Sequence, residues 1–147
     1  MNFTSQICTT KEQSERLLAM GLKKETADMH YYHTVDFEDN EVWSPSVIPY
    51  TDILFNAEFV GELNMIENDI IPAWSLHRLM EIADTNSIDS NSAIGFYDGF
   101  YDEIIAQIKS CIHLGLINKE YLNMDIVNAN EDKNIELLKN GGKQHGI

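Results

Sequence analysis

The stretch that most restricts how this chain can fold is Asp69-Ile-Ile-Pro-Ala-Trp-Ser-Leu-His-Arg-Leu-Met-Glu-Ile-Ala83. It spells out a helix start. Ser75 is a favoured N-cap, because its hydroxyl can accept one of the backbone N–H groups that a first helical turn leaves without partners. Trp74 before the cap and Leu79 at the fourth helical position form the apolar pair of a hydrophobic staple. Pro72 stiffens the approach and pushes Ile71 toward an extended conformation. Leu76, Leu79, Met80 and Ala83 then repeat at i, i+3, i+4 and i+7, one apolar helix face. One residue conflicts with the pattern. Arg78 sits where a capping box carries Glu, and a cation there opposes the helix dipole. The helix must therefore be held by packing of its apolar face.

Other helix signals are of the same kind. Thr9…Glu12 and Thr10…Gln13 both have capping-box spacing before a helix that passes Leu17 and Leu18 and stops at Gly21. Lys24 to Tyr32 reads as a second short helix. Tyr97, Tyr101, Ile104, Ile105, Ile108 and Ile112 keep the helical period up to Gly115. Asn118 can cap a short turn over Lys119 to Leu122, and a last helix spans about Glu131 to Lys139. Ala19-Met-Gly-Leu22 and His113-Leu-Gly-Leu116 repeat one ending, with Gly at C′ and Leu at C″. Shared capping physics accounts for this without a duplicated domain.

Between these segments, Asp36, Glu38, Asp39 and Glu41 form an acidic patch around an expected turn. Ile53, Phe55, Ala57 and Phe59 alternate with mostly polar neighbours, which leans toward a strand, with a helix as the alternative over residues 51–60. The expected fold class is α+β: a single compact domain, mostly helical, with a small β element in the middle section. Residues 1–9 are read as a flexible N-terminus, 10–140 as the globular domain, and 141–147 as a disordered tail.

Charge limits the function classes. The 147 residues include 24 acidic and 10 basic side chains, a formal net charge of −14. Phosphate binding needs clustered Lys and Arg, and only Lys23-Lys24 comes close, so direct nucleic-acid binding and docking on an anionic membrane are not expected. No run of about 18 apolar residues is present to span a membrane. The N-terminus lacks the basic and apolar regions of a signal peptide. Cys8 and Cys111 are far apart, outside any CxxC, and read as reduced thiols of a cytoplasmic protein.

Four constellations could carry chemistry. Asp28, His30 and His33 are the candidate metal ligands, since histidines three apart share one face of a helix. Against a metal stand the missing HExxH and the missing third histidine. Asp84-x-Asn86-x-Ile88-Asp89 begins like a calcium loop but has Ile88 where an oxygen ligand belongs and Asp89 where Gly belongs. Phe96-Tyr-Asp-Gly-Phe-Tyr-Asp-Glu103 would stack Phe96 on Phe100 and Tyr97 on Tyr101, as a core stripe or a recognition platform. Glu12 to Asp28 could pass for a helix-turn-helix, against which the acidity of the chain and Leu17 both count. No nucleophile elbow, P-loop or dinucleotide fingerprint occurs, and nothing calls for a cofactor.

Three blocks also carry a resemblance: Glu12 to Met29 with Thr26-Ala-Asp-Met29, Ile71-Pro-Ala-Trp-Ser-Leu-His-Arg-Leu-Met80, and Ile104 to Leu122 ending Asn-Lys-Glu-Tyr-Leu. In this order they resemble small proteins of uncharacterised activity from Bacteroides-type gut bacteria and their phages and mobile elements. The resemblance does not extend over Thr34 to Asn68. It implies a compact cytosolic α+β protein and supplies no activity and no functional residues. The leading expectation is a non-enzymatic accessory protein that works through an acidic or aromatic surface on another protein, one with a basic face. The alternatives are an acidic DNA mimic that inhibits a nucleic-acid enzyme, and a small metal-dependent enzyme using Asp28, His30 and His33.

Overall fold

Thr10 opens the first helix, α1 (Lys11–Ala19), in a computed structural model that describes residues 6–35, 37–53, 70–83 and 99–144. The Thr10 hydroxyl accepts from the Gln13 backbone N–H at 3.1 Å, and the Gln13 side-chain Oε1 accepts from the Thr10 N–H at 3.0 Å, a complete capping box. Thr9, the other possible cap, has a tertiary role. Its N–H donates to the Trp74 carbonyl at 2.8 Å, its hydroxyl accepts from the Trp74 N–H at 3.1 Å, and it lies 2.7 Å from the Ser14 hydroxyl. Cys8 and Thr9 are both buried. These two residues therefore belong to the folded body, not to a flexible end, because their polar groups are paired across the chain.

Both glycine endings form as expected. At Gly21, φ is +104°, Leu22 N–H donates to Leu17 C=O at 3.1 Å, and Gly21 N–H donates to Leu18 C=O at 3.0 Å. At Gly115, φ is +72°, and Leu116 and Gly115 donate to Cys111 and Ile112 at 2.9 and 3.1 Å. Each is a full Schellman motif.

After Gly21 the chain departs from expectation. Lys24–Thr26 is only a turn of 3₁₀ helix, and Met29–Val35 is a β-strand, β1. The run Tyr31-Tyr-His-Thr-Val35 is aromatic and β-branched, side chains that favour a pleated, half-buried surface. Strands on both sides then supply the pairing that a helix would have made within itself. The helix-turn-helix reading fails with it. β2 (Glu41–Ser46) and β3 (Ile70–Ala73) flank β1 in an antiparallel sheet of order β2-β1-β3. Tyr31 faces Pro45 on one side and Ile71 on the other. Pro45 and Pro72 lie on the outer strands, where a missing N–H is tolerated. The helices and this small antiparallel sheet make the expected α+β fold. Residues 50–53 form a helical turn, and Phe55, Ala57 and Phe59 lie outside the described residues.

Ser75 caps α2 (Leu76–Ala83): its hydroxyl accepts from Arg78 N–H at 3.2 Å. The carboxylate that Arg78 cannot supply comes from Asp28, which accepts from Ser75 N–H at 2.9 Å and from the Ser75 hydroxyl at 2.5 Å. Trp74 and Leu79 are fully buried in the main core, as the staple requires. α3 (Phe100–His113) adds Tyr101, Ile104, Ile105 and Ile108 to that core. Phe100 is exposed, so the aromatic doublet divides between core and surface; Phe96, Tyr97 and the calcium-like loop fall outside the described residues.

Asn118 caps the 3₁₀ turn Lys119–Tyr121, accepting from Glu120 N–H at 3.0 Å. α4 (Met124–Gln144) starts earlier than the sequence suggested, because the Asn123 side chain accepts from Asp125 N–H at 3.2 Å. It also runs past Gly141-Gly142 to Gln144. A glycine inside a helix costs about 1 kcal/mol relative to Ala, which weakens a helix without forbidding it. The segment that follows Gly21 pairs with the segment that leads into α4. Leu22 and Leu122 form an antiparallel bridge, with Lys23 N–H donating to Tyr121 C=O at 2.8 Å and Asn123 N–H to Gly21 C=O at 2.6 Å. Among the described residues no helix is long and apolar enough to cross a membrane.

A polar clamp ties α1 to α3. Asp102 accepts from the Gln13 amide at 3.0 Å and from the Arg16 guanidinium at 2.7 Å. These bonds, Gln13 first, hold its carboxyl below the usual carboxylate range. A depressed folded-state pKa stabilises the fold above the unfolded value of about 3.9 and loses that contribution as pH falls further. Urea midpoints of the wild type and Asp102→Asn should therefore differ at pH 6 and converge below pH 3. A gap that stays constant with pH would contradict this.

Candidate functional site

The β1–β2 hairpin carries exposed apolar and charged side chains around one turn. Residue 39 is the tightest point of the connection: Asp39 has φ +60°, a left-handed conformation that aspartate tolerates because its short side chain can bond locally. Phe37, in that turn, is completely exposed, and Val35 and Val42 on the flanking strands are 59% and 37% exposed. Glu38, Asp39 and Glu41 lie in the same turn and at its edge and are also exposed. An apolar tip set in carboxylates results, and a fully solvated Phe gains nothing from folding.

The sheet behind the tip is braced by aromatic contacts. His33 and Trp43 are directly opposed across β1 and β2, and their rings stack with centroids 4.9 Å apart. Lys11, at the start of α1, places its ammonium 4.2 Å from the Trp43 ring centre, a cation–π contact. His33 Nε2 lies 3.6 Å from a Glu41 carboxylate oxygen. These contacts join the hairpin to α1 and orient its acidic end.

The sequence-derived metal candidates are not assembled. They were grouped on the premise of a shared helical face, but in β1 residues three apart point to opposite sides of the sheet. His30 is buried, its Nδ1–H donating to the Ile48 carbonyl at 2.7 Å. His33 is held by Trp43 and Glu41. Asp28 is engaged by Ser75. Among the described residues no group of three or more His, Cys, Asp or Glu side chains is placed to hold a metal ion.

One buried cluster carries a nucleophile type. The Cys8 thiol donates to the Tyr31 hydroxyl at 3.5 Å, and the Tyr101 hydroxyl donates to the Gln6 carbonyl at 3.4 Å. Burial pushes the Cys8 thiol up, the Tyr31 bond opposes this, and the negative charge of Asp28 adds to it. Burial also raises both phenols. A thiol held protonated is a poor nucleophile, so the cluster works as packing with satisfied polar ends. Cys111 is also buried and free.

Sequence reasoning found the acidic turn but missed Phe37 and Trp43. The available signal was Val42-Trp43 next to that turn, which reads as strand once the turn is taken as a hairpin. Comparison of the chain with models of known families, with curated proteins and with solved structures gives no match.

Proposed function

We propose that this protein is a non-enzymatic accessory protein that binds another protein through the β1–β2 hairpin. The observation that carries this reading is Phe37, wholly exposed at a turn that also bears the exposed Glu38, Asp39 and Glu41. Interface hot spots are large aromatic side chains that enter a dry pocket within a polar rim. The partner that fits has an apolar pocket with lysine or arginine at its edge, and the net charge of −14 would steer it in from a distance. On this reading its origin is a phage or mobile element of Bacteroides-type bacteria, as the resemblance implies. The engagement of Asp28, His30 and Cys8 in structural bonds supports a function other than catalysis.

The test is affinity capture from the native host with wild type and Phe37→Ser, followed by direct titration of the captured protein. Phe37→Ser should keep the fold and weaken that complex by about 2 kcal/mol or more, the range of a central anchor. The wild-type complex should also weaken as salt rises, because exposed charges are screened. A captured partner that binds both proteins equally would defeat the proposal.

A further inference from the structure

We infer that the cleft between the end of α3 and the middle of α4 is a binding site for a small uncharged molecule with an apolar body and a hydroxyl at one end. The hairpin contributes no residue to this cleft, so the site is independent of the protein-binding reading above. The cleft holds a recess of about 500 Å³. Its apolar lining is Met20 at the end of α1, Ile112 and Leu114 at the end of α3, and Val127 on α4. Val127 is buried and Leu114 is 67% exposed, so the apolar wall runs from the core out to the surface. Protein interiors leave few voids larger than a water molecule. Ligand sites of about 300–1,000 Å³ have this make-up, mostly apolar with a few polar groups. Ten side chains line the recess, whereas a stable protein interface takes about 20–30 residues a side, so the space suits a small molecule better than a protein.

The polar rim selects the chemistry of the ligand. Lys109 stands on the α3 wall and Glu131 on the α4 wall. An ion of either sign set between them is attracted by one wall and repelled by the other. An uncharged molecule avoids that conflict and keeps the gain from covering the apolar lining. Asn130 sets the polar group. Its Nδ2 donates to the Ala19 carbonyl at 2.8 Å, which leaves Oδ1 to accept. A ligand hydroxyl supplies the matching donor, and its oxygen can accept in turn from Ser110, His113 or Asn134 on the same rim.

The probe is n-octanol, titrated by ligand-observed NMR in about 0.15 M salt, where long-range charge is screened. It should bind with a Kd below about 1 mM. Octanoate and octylammonium should bind about five-fold more weakly or worse. Octyl methyl ether, which has no hydroxyl to donate, should bind about three-fold more weakly or worse. Ser110→Trp and Asn134→Trp replace exposed residues and fill the recess from its two walls. Each should weaken octanol binding about ten-fold or more. Circular dichroism checks that both remain folded, and Phe37→Ser should bind octanol like the wild type. Absence of octanol binding, or binding that survives both tryptophans, overturns the site. An ion or an ether that binds as tightly as octanol overturns the ligand class.

Discussion

Replacing Trp74 by alanine should lower the unfolding free energy by about 3–5 kcal/mol, the usual cost of emptying a large aromatic site. The side chain is fully buried in the main core. Its indole N–H donates to the Thr26 hydroxyl at 2.9 Å, while its backbone is bonded on both sides to Thr9. One residue thus joins the N-terminal segment, the turn before β1 and the entrance to α2. Domains of this size are stable by only about 5–15 kcal/mol, so the loss is a large part of the total. Urea unfolding followed by circular dichroism measures it. Trp74→Phe should cost less, since it keeps an aromatic ring and loses the indole bond to the half-buried Thr26 hydroxyl, a bond worth about 0.5–1.5 kcal/mol. If Trp74→Ala remained fully stable and instead lost a binding partner, Trp74 would be a recognition residue and the clamp described here would be wrong.

Gly21→Ala should be about as severe for a different reason, at about 2–4 kcal/mol. A methyl group at residue 21 would lie 2.6 Å from Val127 Cγ2 and 3.2 Å from the Asn123 carbonyl oxygen, at φ +104°. Strain in the left-handed region costs about 1–2 kcal/mol, and overpacking adds about 1–3 kcal/mol. Gly115 provides an internal control. It ends its helix by the same motif at φ +72°, but nothing lies within 4 Å of an added methyl group. Gly115→Ala should therefore show the conformational part alone, about 1–2 kcal/mol. Equal losses for the two variants would mean that Val127 and α4 move aside without cost, and that the contact between Gly21 and α4 is soft.

The same pair of glycines separates what was legible in the chain from what was not. That each ends a helix can be read from Gly followed by Leu, because a Schellman ending closes within six residues. That Gly21 touches α4 while Gly115 has open space around it depends on where α4 packs. The hairpin divides in the same way. Its acidic turn was legible, since Asp and Asn mark turns by local bonding. Its strands were not, because the spacing of His30 and His33 also fits one face of a helix and the pairing residues lie as far away as Ile70 to Ala73. The error at the metal candidates followed directly: read as helix, His30 and His33 share a face, and read as strand they oppose each other.

Short-range chemistry alone therefore determined the caps at Thr10, Ser75 and Asn118, the endings at Gly21 and Gly115, and the apolar face of α3 from Tyr101 to Ile108; on α2, Met80 of the expected face is exposed and Ile82 is buried in its stead. Each of these is completed by atoms a few residues away, at most a few helical turns. Tertiary structure decided the rest: that residues 29–35 are a strand, that Asp28 supplies the carboxylate missing at Arg78, that Thr9 is buried against Trp74, and that Phe37 is left in water. In each case the deciding partner is distant in sequence or, for Phe37, absent among the described residues. A hydrogen bond or an apolar contact needs only nearness in space, and the chain alone does not record which distant residues become neighbours.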